Sequence, residues 1–145
     1  MDARTIAQVQ DSFEKVAAMG PRAAEIFYEE FFALDPSLRT MFNGDMADQQ
    51  RKLLAALSFI ARSLHAPERF LSDVEKLAVR HLGYGVRMEH YNHFGNALLR
   101  TLKRALGADF TPELCDAWRD AFRMLTRSIK EVAYERSPTL MRAAG

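Results

Sequence analysis

PRAAEIFYEEFFALDPSLRTMF, residues 21–42, contains two helix starts and one phenol on a buried face. Proline fits the first turn of a helix, where its missing N–H has no partner to lose. Gly20-Pro21 and Asp35-Pro36 therefore read as starts. Between them Ala24, Phe27, Tyr28 and Phe31 recur at spacings of three and four, while Glu25, Glu29 and Glu30 fall on the opposite side, as in an amphipathic helix. The spacing predicts a helix over 22–34 and a short one over 36–42. Tyr28 sits on the apolar side, and a phenol hydroxyl stranded in a core costs roughly 1–3 kcal/mol. It needs something to donate to. Phe42 closes the short helix in the connector MFNGD, where a large apolar side chain needs something to cover.

The same marks recur along the chain. Ala66-Pro67 and Thr111-Pro112 read as further helix starts, with Thr111 as a cap. Leu53, Leu57, Ile60 and Leu64 form one apolar stripe; Leu114, Trp118, Phe122, Leu125 and Ile129 form another. Helices are predicted over 3–18, 46–64, 68–81, 89–106 and 112–136, with turns at Gly44, at the Gly83/Gly85 pair and at Gly107. No run of β-branched residues alternates as a strand would. The chain is expected to be all-α, one domain over 1–136 with a frayed tail over 137–145.

Composition narrows the function classes. The chain has 145 residues, enough for one substantial core, and 48% of them are hydrophobic against 27% charged. Twenty basic and nineteen acidic side chains leave a net charge of +1, which makes no electrostatic case for nucleic acid or an anionic membrane. The longest apolar run without charge, Leu53 to Ala61, spans nine residues, half of what a bilayer span requires. The N-terminus lacks the basic head and apolar core of a signal peptide. A single cysteine, Cys115, excludes an internal disulfide framework and a cysteine-based zinc site, so a reducing, cytoplasmic setting is expected.

Among the four histidines, 65, 81, 90 and 93, His81 stands apart. Phe70, Val74, Leu77 and Ala78 form the stripe of its helix, and His81 continues that stripe toward the core before HLGYG breaks the helix. An imidazole at the inward end of a helix is suited to hold a buried ligand. His90 and His93, three apart, could in principle share a metal, but two ligands rarely suffice and neither has an acidic or cysteine companion at useful spacing. No Glu-x-x-His pair, glycine-rich phosphate loop, nucleophile elbow or His-Glu-x-x-His appears. Cys115 reads as a small core or boundary residue. Ten Phe, four Tyr and one Trp are accounted for by a well-filled core, with two exceptions. Phe42 lies in a connector, and Gln49, one turn before Leu53 and two before Leu57, aims an amide along an apolar face.

Tyr28, Pro36, Phe42, Gln49, Leu53 and His81, taken in order, resemble the globin family over about residues 1–136. The spacing from Pro36 to Phe42 is similar to the globin C helix and its haem-packing phenylalanine. QQRKLLAAL resembles the start of a globin E helix, LAVRHLGYGVRMEHY the F helix with its proximal histidine, and LGADFTPELCDAW the entry to the H helix. Bacterial single-domain globins, flavohaemoglobin globin domains and neuroglobins are the nearest in character. The resemblance implies a three-over-three helical sandwich around haem b.

It also implies roles. His81 becomes the proximal iron ligand, binding through a neutral imidazole whose other ring nitrogen donates to a nearby acceptor. Tyr28 takes the distal position, donating to bound dioxygen, and Gln49 or Gln50 is its distal companion. Gln49 puts Leu53 and Leu57 on the haem stripe; Gln50 would put Leu54 and Ser58 there, and the first choice is favoured. Phe42, Leu53, Leu77, Val86, Tyr91, Phe94 and Leu98 complete the cofactor pocket. No histidine lies within 42–58, so the ferrous iron is expected to be five-coordinate. Tyr91 matches the tyrosine that orients the proximal histidine in flavohaemoglobins, but the partnering glutamate position falls on Ala133. The activated proximal triad is incomplete, and peroxidase-like reactivity is not expected.

The expected function is reversible binding of dioxygen, with nitric oxide and carbon monoxide, in oxygen transport or nitric oxide detoxification in a bacterial cytoplasm. A Tyr/Gln pair favours slow dioxygen release, which points to an alternative: nitric oxide dioxygenase. At this length no flavin- or NAD-binding domain is expected, so that activity would draw on a separate reductase. A gas or redox sensor is a further alternative. The expected state is a monomer or weak homodimer.

Overall fold

The computed structural model describes residues 1–42, 44–66, 68–69, 72, 75–76 and 88–136. Five long helices are α1 (Ala3–Ala17), α2 (Pro21–Leu34), α3 (Met46–Ser63), α4 (Met88–Leu106) and α5 (Pro112–Arg136). Short 3-10 helices at Pro36–Met41 and Gly107–Asp109 link α2 to α3 and α4 to α5. Residues 68–69, 72 and 75–76 are helical, inside the segment expected to form a helix over 68–81. His81, Leu77, Val86, the Gly83/Gly85 turn and the tail over 137–145 lie outside the described residues. Among the described residues there is no strand, and no helix is long and apolar enough to cross a membrane.

Each start is built from the residue types that mark it in the sequence. Asp2 accepts from the Thr5 amide at 2.7 Å, Asp45 from Ala47 at 3.0 Å and Thr111 from Leu114 at 3.2 Å, filling donors that a helix leaves unpaired. Asp35 closes α2 and caps the 3-10 helix, accepting from the Ser37 amide at 3.0 Å. Gly20 precedes Pro21 with φ of 65°, a conformation that any larger residue would hold under strain.

Packing is most extensive between α2 and α4; α1 lies on α5 and α3, and α2 also crosses α3. Ala24 and Ala97 are fully buried, and side chains this small let the helix backbones approach. The core runs from Val9, Phe13 and Val16 through Phe27, Phe31, Leu53, Leu98 and Leu102 to Trp118 and Ile129. On the α2–α4 rim Arg104 bridges Glu29 at 2.9 Å and Glu30 at 3.2 Å. Such exposed pairs contribute about 0–1 kcal/mol each, so burial rather than charge holds the crossing. Two deeper contacts fix the α5 position. Trp118 Nε1 donates to the buried Ser12 hydroxyl at 2.9 Å. Gly95 brings α4 so near Phe122 that a Cβ there would lie 2.5 Å from the ring.

Candidate functional site

The segment from α2 to the 3-10 helix builds an aromatic enclosure around Tyr28. Its ring meets Phe27 at 5.2 Å and 84°, Phe42 at 5.5 Å and 72°, and Phe32 at 5.7 Å and 33°. Phe31 approaches at 6.4 Å. Edge-to-face contacts of this kind are favoured by the ring quadrupoles. Phe42 therefore covers the α2 aromatics, and what it covers includes the phenol.

Tyr28 is only 7% exposed, yet its hydroxyl makes no hydrogen bond among the described residues. Burial alone pushes its pKa up to about 12. The group is thus a neutral donor at any ordinary pH, and a buried polar group with no partner among the described residues is rare and calls for one.

Beside it the helices leave two small apolar clefts. One is lined by Phe27, Leu53, Leu54, Leu57 and Leu98 among others. The second is lined by Leu57, Ile60, Leu64, Phe94, Leu98 and Phe122 among others. Leu57 and Leu98 belong to both, so the two are neighbours across these side chains. The hydroxyl among the lining residues of the first, on Thr101, is spent on the Ala97 carbonyl at 2.7 Å. Phe94 joins the clefts to the enclosure, 4.9 Å from Phe27, and stacks on Phe122 at 6.0 Å and 11°.

Of the wall residues expected from sequence, Tyr28, Phe42, Leu53, Phe94 and Leu98 all join one core assembly. Tyr91 is half-buried on the same helix as Phe94, its phenol pushed up to about 12 by burial. Gln49 and Gln50 are both half-buried. Leu57, two turns after Gln49, lines both clefts, and Leu54, one turn after Gln50, lines the first, so both stripes meet apolar space. Ser58, two turns after Gln50, accepts from the exposed Arg62 at its hydroxyl at 2.9 Å and at its carbonyl at 3.3 Å.

Some participants are not visible in the local sequence pattern. Arg39 places its guanidinium 5.3 Å from the centre of the Phe32 ring. Asp35, remote in sequence from the histidine pair, stands 3.8 Å from His93 Nε2. That pairing depends on how the end of α2 meets the start of α4. Among the described residues no three potential ligands converge on a metal position.

A flat, largely apolar cofactor that presents a polar ligand requires apolar walls and one donor aimed inward. The residues present fit a haem on both counts: aliphatic and aromatic walls, and a buried hydroxyl with no acceptor among the described residues.

Together with the all-helical fold, the comparisons with known proteins define the class. The Globin family profile matches residues 25–129, and the chain belongs to the globin family, a haem-type, gas-binding class of protein. Among its relatives is a flavohemoprotein of Xylella fastidiosa, 30% identical over 132 residues, covering 88% of this chain and 32% of the relative. A flavohemoprotein of Bordetella pertussis is 37% identical over 102 residues, covering 68% of this chain and 25% of the relative. The chain thus spans about a third or less of the length of these relatives. Solved structures share the globin fold. A bacterial globin from Campylobacter jejuni superposes with a TM-score of 0.82 at 23% identity, covering 95% of this chain and 100% of that one. A carbene transferase engineered from RmaNOD, a candidate nitric oxide dioxygenase of Rhodothermus marinus, gives 0.82 at 24% identity, with 97% and 98% covered.

Proposed function

We propose that this globin binds dioxygen reversibly, and nitric oxide and carbon monoxide with it, in a haem b pocket within a single domain over residues 1–136. The observation that carries the reading is Tyr28, 7% exposed, whose hydroxyl has no acceptor among the described residues. Haem would supply an iron that holds a diatomic gas and changes oxidation state by one electron. The chain supplies the rest. His81 would hold the iron through a neutral imidazole. Tyr28 would donate to the bound gas, and Gln49 would offer a second donor from α3. Phe42, Leu53, Phe94 and Leu98 would supply apolar walls that keep water from competing for these donors, and Leu77 and Val86 would add to them. A hydrogen bond to a partly charged acceptor in a dry site is stronger than a neutral one. About 1–3 kcal/mol is expected, or roughly one to two decades in gas release.

The flavohemoprotein relatives favour a second reading, nitric oxide dioxygenase, in which nitric oxide and dioxygen yield nitrate and a reductase returns the iron to its ferrous state. A donor that slows dioxygen release suits such a reaction better than it suits delivery.

Optical spectra of the ferric, ferrous and dioxygen-exposed protein test the first reading. A five-coordinate ferrous form is expected, and His81→Ala is expected to lose stable haem unless imidazole is added. Tyr28→Phe should speed dioxygen release tenfold or more. Protein that stays colourless after incubation with hemin would overturn the reading. Steady nitrate production from nitric oxide with NADH and a reductase separates the enzyme from the binder.

A further inference from the structure

We propose that Arg39 is a positioning residue for the Tyr28 hydroxyl, clamping from the protein surface the two phenyl rings that orient it. The inference rests on the reading of Tyr28 as the donor to the gas. No hydrogen bond among the described residues anchors that hydroxyl, so its aim depends on ring packing. On the core side Phe27 and Phe31 are buried, at 2% and 5% exposed. On the outer side the two supporting rings, Phe32 and Phe42, are only half-buried and touch each other at 5.7 Å and 64°.

Arg39 bears on the Phe32 ring directly and on the Phe42 ring through it, with a backbone bond beside them. Its guanidinium carbon lies 5.3 Å from the centre of Phe32, within the range of a cation–π contact. Its backbone carbonyl accepts from the Phe42 amide at 3.1 Å. The guanidinium forms no ion pair among the described residues, so no described carboxylate competes with the ring for it. The segment that presents it is itself pinned: Leu38 is 1% exposed, and Asp35 caps the turn through Ser37. An exposed arginine thus controls a buried phenol through one layer of aromatic rings. Without the guanidinium, Phe32 can swing outward, Phe42 gains room, and the Tyr28 ring samples orientations in which its hydroxyl misses the gas.

The test uses the haem-loaded protein and two readouts that a general loss of stability does not move. One is the infrared C–O stretch of the carbon monoxide form, which reports donation to the gas; the other is the dioxygen release rate. Arg39→Ala should raise or split the C–O band and speed release roughly two- to fivefold, the scale of one exposed cation–π contact. Arg39→Lys, which keeps a cation over the ring, should restore most of the original behaviour. In a Tyr28→Phe background Arg39→Ala should change neither readout. If Arg39→Ala leaves both readouts unchanged while Tyr28→Phe moves them, the clamp is wrong and the donor stands. An Arg39→Ala effect of equal size in the Tyr28→Phe background also overturns the clamp. If Tyr28→Phe itself moves nothing, the reading of the donor falls and the clamp falls with it.

Discussion

Gly95 shows how much of the site depends on a missing atom. A Cβ on this residue would lie 2.5 Å from Phe122 Cε1 and 2.9 Å from Cδ1, and Phe122 cannot simply retreat because it stacks on Phe94. Gly95→Ala gains helix propensity of about 1 kcal/mol, but overpacking of this kind costs about 1–3 kcal/mol. A net loss of up to about 2 kcal/mol is expected, measured as a lower urea midpoint. Any displacement of Phe122 passes to Phe94 and so to the cleft wall. Tyr28 gives a second prediction at this scale. Its phenol is held up at about 12 by burial, above the ordinary 10.0. A raised pKa in the folded state means that the stability it carries is complete below pH 10 and declines as pH rises toward 12. In an ultraviolet titration Tyr28→Phe should remove one late-ionising phenol. A curve identical to that of the parent would place the hydroxyl in contact with water.

Among the elements, the helices were readable because their ends carry chemistry that the sequence displays. Pro21, Pro36 and Pro112 begin helical segments, Thr111 caps the last one, and the observed bounds agree with those expected to within about two residues. What was unreadable is how those helices meet. Ser12 and Trp118 are 106 residues apart, yet the indole donates to the Ser12 hydroxyl, which donates in turn to the Val9 carbonyl at 3.0 Å. Periodicity marks Trp118 as buried but carries no information about a partner on another helix. The same holds for Asp35 beside His93 and for Arg39 above Phe32. Since Trp118 is 6% exposed, Ser12→Ala would leave its N–H buried and unpaired, at about 1–3 kcal/mol. Trp118→Phe also leaves a cavity, so it should destabilise further. Ser12→Ala within the Trp118→Phe background should cost much less than it does alone, because the donor is already gone. Additive losses in that double-mutant cycle would show that the bond contributes nothing to joining α1 and α5.

For the molecule as a whole, four carboxylates share one behaviour. The pKa values of Asp2, Asp35 and Asp48 are lowered from 3.8, and that of Glu29 from 4.5. The leading causes are hydrogen bonds, from the Thr5 amide to Asp2, the Ser37 hydroxyl to Asp35, the Lys52 ammonium to Asp48 and the Arg104 guanidinium to Glu29. A carboxyl group with a depressed folded pKa contributes stability that is complete above its unfolded value and lost as pH falls through the folded one. All four therefore act in the same direction and in the same window. Stability should be nearly flat above about pH 5 and fall steadily below about pH 4. Asp2 and Asp35 cap helix starts, Asp48 pairs with Lys52 early in α3 and Glu29 lies on the α2–α4 rim, so acid loosens two caps, one ion pair and one crossing together. Asp35→Asn gives the sharpest test, because asparagine can still accept from the Ser37 amide but cannot be protonated in this range. Urea midpoints measured at pH 7 should be close to those of the parent, while the decline between pH 4 and pH 3 should be shallower by the share of one proton. An equally steep decline in the variant would show that Asp35 has no part in the acid response, and that its bond to Ser37 persists when the carboxyl is neutral.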